Sequence, residues 1–299
     1  MSLRKTWAFV KLTRPLFLGG AVLLYLLGAA LAWAQGSPID WARLLLGQLL
    51  VTAIQLTTHY ANEYYDFDVD AAIGSARTPF SGGSGMLQSD LTTPAAVRWA
   101  AWGTLLVAAT VGVYLSVSVG WPLWVIMAIG GLTSIFYTSH LAHWMVGEVA
   151  AGISLGSLVV VGTHWVLAGP PTAAVVWVAI PPGILTALLL FLNEFPDAAA
   201  DQIGGRRHLV IMLGPRLAAG VYTLALAASY LVTVAGVVLG ILPVWVLLSL
   251  LTLPLAVKAA TGALRHGTTP DRLVGAQAAN VGVVLGTELL LALGLMIGA

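Results

Sequence analysis

The chain has 299 residues, 59% of them hydrophobic and only 8% charged, with a formal net charge of +1 and a mean hydropathy of +0.93. A soluble domain carries about 25% charged residues, so that class is excluded. The few basic residues are dispersed, so no nucleic-acid partner is expected, and the absence of cysteine removes disulfides and thiolate metal sites.

Apolar runs of about 20 residues predict a polytopic helical membrane protein, and the short alternating segments of a membrane β-barrel are not seen. The basic N-terminal stretch MSLRKTWAFVKLTRP leads into a long apolar run without a small-residue cleavage site, which reads as a retained anchor. Nine spans are predicted, near 15–34, 41–64, 95–117, 121–139, 147–168, 173–194, 215–240, 243–261 and 276–297. Turn signals separate them, including Gly36-Ser37-Pro38, Gly120-Trp121-Pro122 and Gly169-Pro170-Pro171. Residues 1–299 read as one transmembrane domain, with two longer polar connections at 65–94 and 195–214.

Charge sidedness supports this count. With the N-terminus cytoplasmic, Arg4, Lys5, Lys11, Arg14, Arg77, Arg98, Arg206, Arg207, Arg216, Lys258, Arg265 and Arg272 fall on the cytoplasmic side, and only Arg43 falls opposite. An odd number of spans places the C-terminus on the far side.

Two acidic stretches end the second and sixth spans on that cytoplasmic side. They are NEYYDFDVD at 62–70 and NEFPDAAAD at 193–201, each an Asn, a Glu, and Asp at the fifth and ninth places. Glycine and arginine trail both: Gly74 and Arg77 after the first, Gly204, Gly205, Arg206 and Arg207 after the second. The repeat suggests an internal duplication of a helix–loop unit. Asn62, Asp66 and Asp70 fall at i, i+4 and i+8, along one helical face, and Asn193, Asp197 and Asp201 repeat that spacing. Clustered like charge beside a bilayer needs compensation. Oxygen donors without His or Cys nearby point to Mg²⁺, which shares its shell with substrate phosphates. On this reading Asp66, Asp70, Asp197 and Asp201 are the metal ligands, and Asn62 and Asn193 add neutral oxygens or hydrogen bonds. Arg77, Arg206 and Arg207 meet the phosphate oxygens. Glu63, Asp68 and Glu194 break the helical register and are expected to be solvated or to sit behind the ligands.

These motifs resemble the UbiA-type intramembrane prenyltransferases over nearly the whole chain. The resemblance rests on Asn62-Asp66-Asp70, on Asp197-Asp201, on the loop Arg77-Thr78-Pro79-Phe80-Ser81-Gly82-Gly83-Ser84-Gly85, and on Gly205-Arg206-Arg207-His208-Leu209 followed by Leu213-Gly214. His208 stands where that family has Thr. The resemblance implies an all-α fold of nine transmembrane helices around a central cavity. It also implies Mg²⁺-dependent ionisation of an isoprenyl diphosphate donor and attack on the allylic cation by an aromatic acceptor. Within the family, the 1,4-dihydroxy-2-naphthoate prenyltransferase branch of menaquinone biosynthesis is the most similar. The segment Tyr137-Thr138-Ser139-His140-Leu141-Ala142-His143-Trp144-Met145-Val146-Gly147-Glu148 departs from that branch, lacking its Pro-Pro pair and basic residues. A related membrane terpene cyclase, acting without an acceptor, is the alternative. A CDP-alcohol phosphotransferase lacks its DGxxAR core here, and a cation transporter would favour carboxylates near mid-membrane.

Other polar residues carry two readings each. His140 and His143 are either bases for a phenolic acceptor or interfacial polar groups. Tyr137 and Glu148 either line the cavity or do not. His59 and Gln55 either face the cavity or bond between helices. Glu288 is an intramembrane carboxylate, a functional hypothesis by default, far in sequence from the motifs. His164 is assigned no role. Gly152, Gly156 and Gly162 suggest close helix packing. The lipid bilayer is the one macroscopic partner implied, and no obligate protein partner is inferred.

Overall fold

Apolar runs become helices here, and the turn signals become the breaks between them. The computed structural model describes residues 3–73, 77–137 and 140–299. Gly74, Thr138 and Ser139 of the motifs above lie outside these residues. The helices are α1 (Leu3–Leu12), α2 (Pro15–Ala34), α3 (Trp41–Tyr65), α4 (Phe67–Ile73), α5 (Pro94–Val119) and α6 (Trp121–Phe136), followed by α7 (Gly147–Ala168), α8 (Ala173–Ile203), α9 (Leu209–Leu213), α10 (Pro215–Val238), α11 (Val244–His266) and α12 (Val274–Ile297). Local chemistry sets several boundaries. Asp40 accepts from the Ala42 and Arg43 N–H groups and starts α3, and the Thr93 hydroxyl accepts from Ala96 N–H ahead of α5. Pro15, Pro94 and Pro215 open their helices, where a missing N–H costs nothing.

Among the described residues seven helices are long and apolar enough to cross a bilayer: α2, α5, α7, α8, α10, α11 and α12. The expected nine spans are therefore only partly matched. The other two coincide with α3, which is long but interrupted by polar cavity residues, and α6, which has 16 residues. Large apolar side chains such as Leu45, Trp99, Leu106, Leu224 and Val238 project from the bundle exterior, the surface a lipid environment requires.

Helix α8 is the axis. It packs on α7, α10 and α12, while α12 also packs on α2 and α11, and α3 on α5. Leu192, Tyr222, Ala259 and Val283 fill one core, and Leu27, Val160, Val175, Val246 and Leu291 fill another toward the opposite end. Buried polar groups tie the axis in place. Asn280 donates to the Leu188 carbonyl (3.1 Å) and accepts from the Tyr222 hydroxyl (2.9 Å), and Gln277 donates to the Asn193 side chain (3.1 Å). The π-turn Gly152–Ser157 within α7 lies directly on α8. A Cβ on Gly156 would sit 2.8 Å from Gly183 Cα, so the backbones touch there, as the glycine pattern predicts.

One boundary differs from expectation. The sequence predicts a sixth span at 173–194 with a polar connection after it, yet α8 runs on to Ile203. The second acidic motif is therefore part of a rigid helix. Pro196, between Asn193 and Asp197, removes one backbone donor without ending it.

Candidate active site

The two acidic stretches meet at one end of the bundle. At the first, α3 ends at Tyr65 and α4 starts at Phe67, with Asp66 at the join. The i→i−4 bonding continues across it: Asp66 N–H donates to Asn62 C=O (2.8 Å) and Asp70 N–H to Asp66 C=O (2.7 Å). Asn62, Asp66 and Asp70 thus keep a common face despite the break. They share a cavity of about 200 Å³ with Asn193, Asp197 and Asp201 of α8. The facing of the two motifs was expected from charge sidedness, and the structure brings all six residues together.

The cations are placed differently from the sequence reading. Arg206 bridges the motifs, donating to Asp66 and, at 3.1 Å, to Asp201. Arg77, expected at phosphate, instead donates to the Gly82 and Asp70 carbonyls. It braces the loop because the turn folds back onto its own guanidinium. Arg207 is exposed and outside the cavity lining. Arg14, which the sequence offered only as a topological charge, lines the cavity and pairs with Glu63 at 2.8 Å.

The glycine-rich loop closes over the carboxylates. Gly82 N–H donates to Asp197 (3.1 Å), and Gly83 packs on the Asp70 carboxylate. Glu63 anchors the same loop by accepting from Ser84 N–H (2.6 Å) and the Ser84 hydroxyl (2.8 Å). Glu63 is therefore buried, not solvated, because loop and Arg14 converge on it. Asp68 is exposed as expected. Glu194 is buried too, in the cavity wall. It lies against Glu148 and His208, and the three offer ligand atoms within 4.8 Å of one another. His208 spans Glu194 (3.5 Å) and Asp201 (3.3 Å), a position that its place in the motif did not disclose. Glu148 is buried behind Glu194, outside the cavity lining, and accepts from Leu209 N–H at 2.7 Å.

Of the remaining candidates, His59, Gln55 and Tyr137 line the cavity. His59 also holds the α1–α2 junction through the Thr13 carbonyl (2.8 Å) and contacts Gln55 (3.0 Å). His140 is exposed, with its ring edge-on to Phe136 and Trp144. Neither it nor His143 reaches the cavity lining, since both sit beyond the end of α6.

The donor set suits a hard cation. The carboxylates of Asp66 and Asp201 have Arg206, whereas among the described residues no cation pairs directly with Asp70 or Asp197. Asp197 Oδ1 is buried without a hydrogen-bond donor. Burial, and then the neighbouring Asp66, push the Asp70 carboxyl up to about 7. An oxygen-only set of this kind fits Mg²⁺.

Below the carboxylates the cavity opens into a second, apolar chamber of about 70 Å³, sharing Ala21, Gln55 and Leu155 with it. Tyr25, Gly47, Leu50, Leu123 and Val166 surround its far end.

A multi-pass helical membrane protein with an acid-lined cavity above an apolar chamber is the class these features define. The UbiA prenyltransferase family profile matches residues 21–281, and the chain belongs to that family. It is a prenyltransferase by that membership. It is 27% identical over 224 residues to the 1,4-dihydroxy-2-naphthoate octaprenyltransferase of Bacillus subtilis, covering 74% of this chain and 71% of that one. It is 28% identical over 197 residues to the UbiA prenyltransferase domain-containing protein 1 of Gallus gallus, covering 64% and 57%. Among solved structures, a UbiA homolog from Aeropyrum pernix superposes with a TM-score of 0.69 at 17% identity, over 92% and 97% of the two chains. One from Archaeoglobus fulgidus bound to GPP and Mg²⁺ superposes at 0.59 with 10% identity, over 97% and 99%.

Proposed function

We propose that the chain transfers an isoprenyl group from an isoprenyl diphosphate to an aromatic quinone-precursor acceptor of the 1,4-dihydroxy-2-naphthoate kind, in a Mg²⁺-dependent reaction. One observation carries the reading: two Asp motifs and a glycine loop converge on one end of a membrane cavity that adjoins a mostly apolar chamber. Asp66, Asp70, Asp197 and Asp201, with Asn62 and Asn193, would hold the cation. When bound, Mg²⁺ supplies positive charge that stabilises the departing diphosphate.

The chain's own groups do the rest. Arg206 and Arg14 flank the carboxylates and offset negative charge as the allylic C–O bond breaks and its electron pair leaves with the diphosphate. Loop residues Gly82 and Gly83 hold Asp197 and Asp70 in place. The apolar chamber takes the donor tail and keeps water from the allylic cation. A π electron pair of an aromatic ring carbon then forms the bond to that cation, and the ring regains aromaticity by releasing a proton from that carbon or, where the carbon bears a carboxylate, carbon dioxide. Curated relatives named as naphthoate prenyltransferases support the acceptor class. We also place α3 and α6 across the bilayer, giving nine spans, with the N-terminus and the acidic end cytoplasmic and the C-terminus opposite. The basic-residue split supports this.

The test uses purified protein, Mg²⁺ and geranylgeranyl diphosphate, with diphosphate release followed with and without 1,4-dihydroxy-2-naphthoate. Release that needs the naphthoate and yields a prenylated adduct is expected. Release without it, with a terpene hydrocarbon or alcohol as product, would replace this reading with a cyclase.

A further inference from the structure

The last helix carries a carboxyl that the diphosphate chemistry does not use. Glu288 on α12 is fully buried, and neither of its carboxylate oxygens has a hydrogen-bond partner among the described residues. It nevertheless lines the main cavity, one turn beyond Val284, in a lining that also includes Gly20, Ala21, Leu24, Thr186 and Leu189. Its depth can be read along the helix. Gln277 of α12 is level with Asn193, which it contacts. Glu288 lies eleven residues further on, about 16 Å at 1.5 Å per residue. The carboxyl therefore sits near mid-membrane, well below the aspartates.

An unsatisfied buried carboxyl is costly, and more so within a bilayer. The cationic side chains lining the cavity, Arg14 and Arg206, pair with Glu63, Asp66 and Asp201 at the other end. A neutral hydrogen-bonding ligand therefore suits Glu288 better than a salt bridge. The tail of an isoprenyl donor has no polar atom to offer. The apolar chamber, moreover, leaves the cavity on another side, between α2, α3, α6 and α7. Below the aspartates there are thus two arms, one mostly apolar and one ending at a carboxyl.

We propose that Glu288 anchors a second ligand subsite, binding the hydroxyl or carbonyl oxygen of a flat lipophilic acceptor while the donor tail takes the apolar arm. This inference rests on the transferase reading above, and its test separates the two. The full-length protein in nanodiscs is loaded with Mg²⁺ and a non-cleavable geranylgeranyl thiolodiphosphate. Binding of 1,4-dihydroxy-2-naphthoate is then measured by calorimetry under reducing conditions. Glu288→Leu is expected to weaken naphthoate binding about tenfold, which is about 1.4 kcal/mol. Affinity for the donor analogue should stay within about twofold. Glu288→Gln, which still donates and accepts, should stay within about threefold of the parent. Equal naphthoate affinity in the parent and Glu288→Leu, a parallel loss of both ligands, or no naphthoate binding by the parent would each overturn the subsite. Parent protein that binds the naphthoate through Glu288 but, given Mg²⁺ and geranylgeranyl diphosphate in place of the analogue, forms no adduct would overturn the transferase reading and leave the subsite standing.

Discussion

Gly83→Ala isolates the contribution of the glycine loop. Gly83 has φ +69°, and a Cβ there would overlap the Asp70 carboxylate and lie 2.8 Å from its Cγ. Two costs arise. The left-handed backbone penalises an L-side chain by about 1–2 kcal/mol. The overlap, in addition, must push either the loop or Asp70 aside by roughly an ångström, and a displacement of that size at reacting groups costs about 10²-fold in rate. Gly36 supplies the control, having φ +82° at the opposite end of the bundle and nothing within 4 Å of a built Cβ. Gly36→Ala therefore carries the backbone cost alone. Both variants should lose a few degrees of thermal stability, but only Gly83→Ala should lose about 10²-fold in kcat/KM and need more Mg²⁺. The assay is diphosphate release against Mg²⁺ concentration, with thermal unfolding measured in parallel. If Gly83→Ala keeps kcat/KM within threefold of Gly36→Ala, the loop does not position Asp70 for the reaction.

Other perturbations test other parts of the site. Asp66→Asn or Asp197→Asn should abolish Mg²⁺-dependent turnover, with the thermal transition left in place in Asp197→Asn, which breaks no ion pair, and a well-folded variant with normal turnover would remove the metal assignment. Arg206→Gln leaves Asp66 and Asp201 buried without their cation, a loss of about 3 kcal/mol before Mg²⁺ is added. Its melting temperature should fall below the parent's and recover on titration with Mg²⁺, and an unshifted transition would refute the bridging role. The Asp70 carboxyl, pushed up to about 7, holds a proton below that pH that a cation must displace. Mg²⁺ affinity should accordingly rise with pH up to about 7 and then level off, whereas a flat profile from pH 6 to 8 would contradict it. Tyr25 wedges against Gly47 at the end of the apolar chamber. Tyr25→Ala should shift preference toward longer donors in competition among isoprenyl diphosphates, and an unchanged product distribution would exclude Tyr25 as the floor.

The membrane class, most of the helix positions and the two Asp motifs were legible in the sequence because each is local. A bilayer demands long apolar runs, and i, i+4, i+8 spacing defines a face without reference to anything distant. Both motifs fall on one side because basic residues mark that side, so even their meeting was readable from charge. The partners of individual side chains were not. Arg77 and Arg206 look alike in sequence, each trailing an Asp motif, yet one braces a loop through backbone carbonyls and the other links Asp66 to Asp201. Glu63 reads like Asp68 in sequence, solvated or behind the ligands, and only the returning loop and Arg14 show that it is the buried one. His140 and His143 carry two readings in sequence, acceptor base or interfacial polar group, and only their position beyond the end of α6, outside the cavity lining, favours the second. Glu288 shows how the division arises. Its presence within an apolar span is a fact of sequence, while its place in a cavity wall depends on how α12 packs against α2 and α8. Hydropathy and spacing act within one helix. Which groups face each other across a cavity is decided by helix packing, where contacts such as Gly156 on Gly183 set the approach of whole elements.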